Sequence, residues 1–517
     1  MSQIKILWAD DEIDLLKPQL LFLEKKGYQV TPVNSGSEAI DCVNEHYYDL
    51  VFLDENMPGL TGLETLTEIK NLKSDLPIVM ITKSEEEFLM DDAIGSQISD
   101  YLIKPVNPNQ LLLSIKKLTD HKRLVSEKIT QGYQQDFRNL SMMVNESLSH
   151  TEWVEVYKKM VFWSMELEKS QDENMKEVLH TQFSDANNNF SKFVEKNYLS
   201  WLEHPEDGPL TSANLMSKKI FPTVEKDDKP SVLLIVDNLR YDQWKVLQPK
   251  FAEYFKVKED DCYYSILPTA TSYSRNAMFA GMMPSEIQRK FPDKWLNDDE
   301  EGGKNLHESF FLNYQIKRQN KNFTYNYTKV TNVRAGKSLL DNLNNMLNND
   351  LTIIVYNFVD LLSHVRTEMQ VLKELAEDEA AYRSLTLSWF EHSPLFDVVK
   401  RLGEKDINLM LTTDHGSVRA KKPSKVIGDR NTTTNLRYKH GKNLNYQRKD
   451  VLAIKNPDDA KLPRPNVSSS FIFAKEDFYF VYPNNYNYYV NFFRDTFQHG
   501  GISLEEIIIP MIQMESK

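Results

Sequence analysis

Four short stretches in the C-terminal half carry side chains able to hold metal. They are Asp237 closing VLLIVDN, Asp360 and His364 in DLLSH, Asp414 and His415 in TTDHG, and His499 in QHGG. Together they supply three Asp and three His, donors that suit Zn²⁺ and Mn²⁺ and are enough for a pair of divalent ions. PTATSYS lies between Asp237 and Asp360 and offers a threonine as a metal-activated nucleophile. In a two-metal phosphoryl-transfer site, one ion lowers the pKa of the nucleophile and the other clamps the non-bridging and leaving oxygens. Asp360 and His364 are four apart, so a helical turn points them the same way. Asp414 and His415 are adjacent, and a loop lets them serve one ion each or the same ion. After His499, Gly500 and Gly501 permit close backbone approach.

A second set stands at the N-terminal end: Asp10, Asp11, Asp54, Thr82, Tyr101 and Lys104. An aspartyl phosphate needs Mg²⁺, which demands oxygen ligands at octahedral geometry, and Asp10, Asp11 and Asp54 provide them. Lys104 neutralises the phosphoryl oxygens. The Thr82 hydroxyl hydrogen-bonds the new phosphate and draws its loop inward, and Tyr101 turns to fill the vacated space. This is a local charge event that biases a two-state element.

The elements that must position these groups follow from the apolar patterning. IKILWA, YQVTPV, DLVFLD, PIVMIT and DYLIK predict five strands separated by amphipathic helices, which implies a parallel, doubly wound, flavodoxin-like sheet. Sites in such sheets lie at the carboxyl ends of the strands, where Asp10, Asp54, Thr82 and Lys104 fall. The next stretch has no strand pattern. WVEVYKKMVFWSMELEKS and ENMKEVLHTQFSDANNNFSKFVEKNYLSWL predict a helical bundle whose aromatic residues form its core. Then SVLLIVD, LTIIVYNFVD, INLMLTTD and FYFVYP restore an α/β pattern, with the metal-type residues again following strands. EIQRKFPDKWLNDDEEGGKNLHESF and DRNTTTNLRYKHGKNLNYQRKD are polar and predict loops or lids, and Arg430, Arg437, Lys439 and Lys442 of the second are candidates for phosphate contact. The expected domains are 1–120, 121–225 and 226–517.

The chain has 517 residues, 41% of them hydrophobic, a mean hydropathy of −0.51, a net charge of −13 and a pI near 5.5. That length calls for several cores. The acidic balance argues against a whole-surface nucleic-acid binder and leaves local metal-centred phosphate chemistry open. No apolar run reaches the roughly 20 residues of a membrane helix, and the start MSQIKILWADDE lacks a signal peptide's basic region, so a cytoplasmic protein without membrane insertion is expected. The two cysteines, Cys42 and Cys262, fall in separate predicted domains and predict no disulfide.

ILWADDE, VFLDENMPGLTGLE, MIT and DYLIKP stand in the order and spacing of the response-regulator receiver domain, and residues 3–120 resemble it. The resemblance implies Asp54 as phospho-acceptor, a sensor histidine kinase as partner, and homodimerisation through the face around Tyr101. Residues 230–517 resemble the alkaline phosphatase superfamily, nearest its nucleotide phosphodiesterase and PglZ branches. LPTATSYS is similar to the P-T-x-T nucleophile turn, followed by GMMPSEI in the place of G-x-x-P. That resemblance implies Thr271 as a nucleophile forming a covalent phosphoryl-enzyme. It further implies one zinc on Asp360, His364 and His499, and a second on Asp237, Asp414 and His415 with Thr271. Ser274 stands where the diesterase pattern has an asparagine oxyanion donor, which passes that role to Arg275 or Asn276. The whole order resembles the PorX-type response regulators. That resemblance implies control of type IX secretion, with the secretion machinery's cytoplasmic face and an extracytoplasmic-function sigma factor as partners.

Two functions are therefore expected in alternative. One is a phosphorylation-controlled zinc phosphodiesterase acting on a nucleotide or oligonucleotide. The other is a zinc-stiffened interaction module without essential catalysis.

Overall fold

The computed structural model describes residues 4–83, 98–170, 172–226, 229–298, 300–357, 359, 378–429, 432–464 and 468–517. The chain forms two compact units, Met1–Gln134 with Lys169–Asp172, and Gln135–Glu168 with Glu173–Lys517.

The first unit is built on β1 (Lys5–Ala9), β2 (Gln29–Val33), β3 (Leu50–Asp54), β4 (Ile78–Thr82) and β5 (Asp100–Ile103), in the order β2-β1-β3-β4-β5. All pairs are parallel. Its helices include α1 (Lys17–Lys25), α2 (Gly36–Glu45), α3 (Gly62–Leu72) and the start of α4 (Pro108–Asn145). Strand side chains alternate between faces, so two cores form. Leu7, Ala9, Val51 and Leu53 pack with Ala39 and Val43 of α2 and Leu66 and Ile69 of α3. Ile6, Trp8, Leu50, Phe52, Val79 and Ile81 pack with Leu23 of α1 and Leu111 and Ile115 of α4. Apolar side chains on both faces are what a helix-covered parallel sheet requires.

In the second unit, α5 (His150–Glu168) and α6 (Glu173–Glu203) form the predicted helical region. Trp153, Tyr157, Trp163, Phe190 and Tyr198 are core, with Trp153 and Phe190 meeting edge-on at 5.3 Å, whereas Phe162 is exposed. The α/β part has a six-stranded sheet in the order β7-β18-β10-β6-β9-β8. Its strands are β6 (Ser231–Val236), β7 (Phe255–Tyr264), β8 (Tyr325–Val330), β9 (Leu351–Tyr356), β10 (Asn408–Thr412) and β18 (Ile508–Ser516). Smaller ladders use β11 (Val418–Ala420), β12 (Lys422–Lys425), β13 (Tyr438–Gly441), β14 (Val451–Ile454), β15 (Ser470–Ala474), β16 (Phe478–Val481) and β17 (Thr496–Gln498). Helices α7 (Tyr241–Ala252), α8 (Thr271–Ala280), α9 (Glu308–Arg318), α10 (Glu379–Glu391), α11 (Tyr486–Phe493) and α12 (Leu504–Ile507) complete the elements used below.

The architecture is thus a five-stranded parallel receiver-type sheet, a helical middle and a mixed α/β C-terminal domain. Three strands escape the apolar pattern. β7 (FKVKEDDCYY) carries charges because it lies at the sheet's edge. β8 lies at the opposite edge and is mostly half-buried. β18 contains Pro510, which ordinarily argues against an interior strand. Here the β10 ladder ends at the Thr412–Met511 pair, one residue short of Pro510. The Pro510 carbonyl accepts from the Thr412 hydroxyl at 2.8 Å, so its missing N–H faces that same side, where no ladder bond is lost. The second polar stretch also differs from expectation, because it contains β13 rather than loop alone.

Candidate functional site

β6 and β10 are adjacent and parallel, with Ile235 opposite Thr412. Asp237 and Asp414 each lie two residues further on, so the register alone brings the two carboxylates to one place. His415 follows, and Asp237, Asp414 and His415 each offer a ligand atom within 4.8 Å of the others. All three are buried. His415 Nε2 stands 3.8 Å from Asp237 Oδ1 and 3.8 Å from Asp414 Oδ2.

The expected nucleophile arrives from the other side. The chain passes through Pro268 and Ala270 and enters α8 at Thr271, its first residue. The Thr271 hydroxyl lies 3.0 Å from His415 Nε2 and donates to Asp237 Oδ1 at 3.3 Å. The first amides of α8 have no partner within the helix, and the helix start carries partial positive charge, which suits phosphoryl oxygens. The side chain of Asn305 donates to the Thr271 carbonyl at 3.0 Å and so steadies the same turn.

His499 comes in on the loop after β17, stacked on His415 with ring centroids 4.2 Å apart. Each ring turns the same nitrogen toward a backbone carbonyl. His499 Nδ1 donates to Thr269 O at 3.0 Å and His415 Nδ1 to Gly416 O at 3.1 Å. These bonds fix the tautomer and leave Nε2 as the ligand-type atom, the usual outer-shell arrangement around metal-binding histidines. Gly500 has φ +120, and a Cβ there would meet the Tyr438 ring at 2.5 Å. Asp360 and His364 lie outside the described residues. The described donors of two carboxylates and one imidazole, with a hydroxyl alongside, fit a zinc-type ion with one position left open.

Arg275 is turned toward a cluster of carboxylates. It is 1% exposed, with Nη1 3.0 Å from Asp237 Oδ2, Nε 2.9 Å from Glu308 Oε1 and Nε 3.8 Å from Asp414 Oδ2. Burial opposes its charge, but the carboxylates of Asp237, Glu308 and Asp414 outweigh that and hold it firmly protonated. Glu308 also accepts from Tyr327 and from Lys329. The Asn276 side-chain amide donates to the carbonyls of Ser272 and Lys304. Two of the basic loop residues also differ from expectation. Arg437 is fully buried against Glu506, and Lys439 is buried against the Thr433 carbonyl and the Tyr482 ring. Burial pushes the Lys439 ammonium down to about 7. His440 is buried too, 3.6 Å from Asp298. Arg430 lies outside the described residues.

In the first unit, strand order places β1, β3 and β4 side by side, and Asp10, Asp54 and Thr82 meet at their carboxyl ends. Asp10, Asp11 and Asp54 offer ligand atoms within 4.8 Å of one another. Lys104 Nζ lies 2.8 Å from Asp54 and 3.1 Å from Asp10. Burial raises the Asp54 pKa and the Asp10 charge adds to this, while the Lys104 hydrogen bond opposes it. Thr82 is buried and Tyr101 exposed.

The model of the BREX system PglZ alkaline phosphatase-like domain matches residues 215–514, more than half of the chain. The chain belongs to the PglZ family. Asp237, Thr271, Asp414, His415 and His499 all fall inside the PglZ match. The response regulator receiver domain matches residues 6–116, and the PorX response regulator linker domain matches 123–202. Among curated proteins, the chain is similar to the transcriptional regulatory protein ZraR of Klebsiella oxytoca, 33% identical over 25% of this chain and 29% of that one. It is also similar to a CpxR homolog of Haemophilus influenzae, 37% identical over 24% of this chain and 55% of that one. The matched region thus spans less than two thirds of either relative. Among solved structures, the response regulator TrrA of Thermotoga maritima is 32% identical, covering 22% of this chain and 99% of that one with a TM-score of 0.21.

Sequence reasoning missed several residues that shape the PglZ site. Glu308 gave no local signal. Thr269 is another, and its hydroxyl accepts from Gly500 N at 2.9 Å while donating to Gly501 O at 3.0 Å. Glu505 and Glu506 did leave a signal, as two adjacent acids inside the apolar run ISLEEIIIP.

Proposed function

We propose that the chain is a two-component response regulator whose output is a metal-dependent phosphodiesterase. The observation that carries this reading is the Thr271 hydroxyl at the head of α8, 3.0 Å from His415 and 3.3 Å from Asp237, beside the buried Asp414. A divalent ion such as zinc, held by Asp237, Asp414 and His415, would supply positive charge at that hydroxyl and at the phosphoryl oxygens. His499 would serve a second ion with Asp360 and His364.

The residues then divide the work. Thr271 Oγ1 loses its proton to water and forms a bond to phosphorus. The bond from phosphorus to the leaving oxygen breaks, and the leaving alkoxide takes a proton from water. Water then attacks the phosphorus of the resulting threonine phosphodiester, which still carries the other ester group. The bond from phosphorus to Thr271 Oγ1 breaks, Oγ1 takes a proton from the attacking water, and a phosphomonoester leaves. The amides at the start of α8 hold the non-bridging oxygens. Arg275, buried behind Asp237, offsets carboxylate charge without touching substrate. The substrate class is a nucleotide or short oligonucleotide. Phosphorylation of Asp54 by a sensor histidine kinase, with Mg²⁺ on Asp10, Asp11 and Asp54, switches the receiver through Lys104, Thr82 and Tyr101 and drives homodimerisation. The match to the PorX linker supports a role in type IX secretion, with the secretion machinery and a sigma factor as partners.

Acid quenching during turnover of a phosphodiester labelled at phosphorus tests the covalent step. Label on a peptide containing Thr271, absent in Thr271→Val, is the expected result. Turnover without a labelled peptide rejects Thr271 as nucleophile.

A second reading, an interaction module, is favoured by one observation. Helix α11 exposes Tyr488, Tyr489 and Phe492, an aromatic face of the kind that docks proteins. Thr271→Val separates the two readings. If the variant retains metal and fold but loses secretion control, chemistry is required, and unchanged control leaves the scaffold.

A further inference from the structure

Helix α6 lies, but for its last residue, within the linker match and wholly outside the PglZ match, yet its buried stripe is not uniformly apolar. Asn187, Ser191 and Tyr198 are buried in it, at spacings of four and seven that keep them on one side of the helix. Burying such groups is unfavourable unless each finds a partner. Each finds the backbone of a loop that builds the candidate active site.

Asn187 Oδ1 accepts from Leu504 N at 2.8 Å, and its amide donates to Glu505 at 3.1 Å. Ser191 Oγ donates to Ile502 O at 3.4 Å and accepts from Glu476 N at 3.3 Å. The bonds to Ile502, Leu504 and Glu505 hold the segment that follows His499, and the bond from Glu476 N holds the turn between β15 and β16. The Tyr198 hydroxyl accepts from Leu267 N at 2.8 Å, four residues before Thr271. The two segments are themselves tied together by the bonds from Thr269 to His499, Gly500 and Gly501.

We infer that Asn187, Ser191 and Tyr198 are positioning residues, and that α6 sets where Thr271 stands relative to His499. An apolar contact tolerates sliding by a fraction of an ångström, whereas these directional bonds to loop backbone do not. A misplacement of about 1 Å at a reacting group costs on the order of 10²-fold in rate. The PglZ part therefore depends on a helix that precedes it in sequence, and a shift of α6 reaches the nucleophile and the histidine together.

This inference rests on the phosphodiesterase reading. It is tested in the full-length chain with Tyr198→Phe, Asn187→Leu and Gln182→Met. Gln182 lies on the same helix, but its amide donates to Phe137 O and Ser141 Oγ of α4. For each variant kcat and KM on bis-p-nitrophenyl phosphate, zinc affinity by chelator competition, and the urea midpoint are measured. Tyr198→Phe lowers kcat roughly 10- to 100-fold with KM within about twofold, and Asn187→Leu weakens zinc about tenfold. Gln182→Met loses stability and leaves kcat and zinc affinity within about twofold. Losses of kcat and zinc affinity that merely follow the urea midpoint across all three variants overturn the inference. So do unchanged values in Tyr198→Phe and Asn187→Leu. A wild type that binds zinc without turnover defeats the phosphodiesterase reading alone, and the zinc contrast between Asn187→Leu and Gln182→Met then decides the positioning role. A wild type with neither zinc nor turnover overturns both.

Discussion

At the scale of single residues, the site depends on buried charges that are paired. Arg437 and Glu506 are fully buried, joined from Nη2 to Oε2 at 2.6 Å and from Nε to Oε1 at 3.1 Å. Glu506 also accepts from Gly501 N at 2.9 Å, beside His499. Arg437→Met strands a buried carboxylate, so urea unfolding is expected to show a loss of roughly 3–5 kcal/mol. Arg437→Lys restores charge without the two-pronged geometry and is expected to recover only part of that loss. A change within about 0.5 kcal/mol, the behaviour of an exposed pair such as Lys229–Asp406, would contradict this account. The sequence showed the donors because Asp and His after apolar runs carry their own chemistry. It did not show that Arg437 and Lys439 are buried, because their burial comes from β13 pairing with β15, a contact between segments about 30 residues apart. Composition made DRNTTTNLRYKHG look solvated, and a long-range ladder decided otherwise.

At the scale of elements, α6, α7, α10 and α12 meet around Glu505. Burial pushes its carboxyl up to about 7, the Glu379 carboxylate adds to this, and Arg240 and the Asn187 amide oppose it. A carboxyl at about 7 when folded and near 4.5 when unfolded binds its proton more tightly in the folded chain. Its contribution to stability is therefore complete below about 4.5 and is lost as pH rises through about 7, a change of roughly 3 kcal/mol. Unfolding free energies at pH 5 and pH 8 are expected to fall less in Glu505→Gln than in the wild type. Equal slopes would show that Glu505 is already ionised at pH 5. Among the elements, β6, β9 and β10 were legible because buried parallel strands read as continuous apolar runs. β7 and β18 were not. An edge strand keeps its charges, and the proline of β18 is tolerated only because the β10 ladder stops beside it.

At the scale of the whole molecule, the chain combines a receiver sheet with its acceptor-type Asp54 and a PglZ domain with a metal-type cluster. The order of the three segments was legible because a purely helical pattern interrupts two α/β patterns. The dependence of the PglZ loops on α6 was not, because Asn187 and Tyr198 reveal their partners only in three dimensions. Sedimentation with beryllofluoride and Mg²⁺ is expected to move the wild type from monomer toward dimer and to leave Asp54→Asn unmoved. A dimer that forms equally in both would detach assembly from the receiver. The central claim is that Thr271, Asp237, Asp414 and His415 form a metal-dependent phosphodiester-cleaving centre. Hydrolysis of bis-p-nitrophenyl phosphate and short oligonucleotides by the purified chain, with and without Zn²⁺ and beside Thr271→Val, tests it most directly. Hydrolysis that needs the metal and falls at least about 10³-fold in the variant while zinc stays bound is expected. Zinc-loaded protein that hydrolyses nothing, or a variant as active as the wild type, would contradict it.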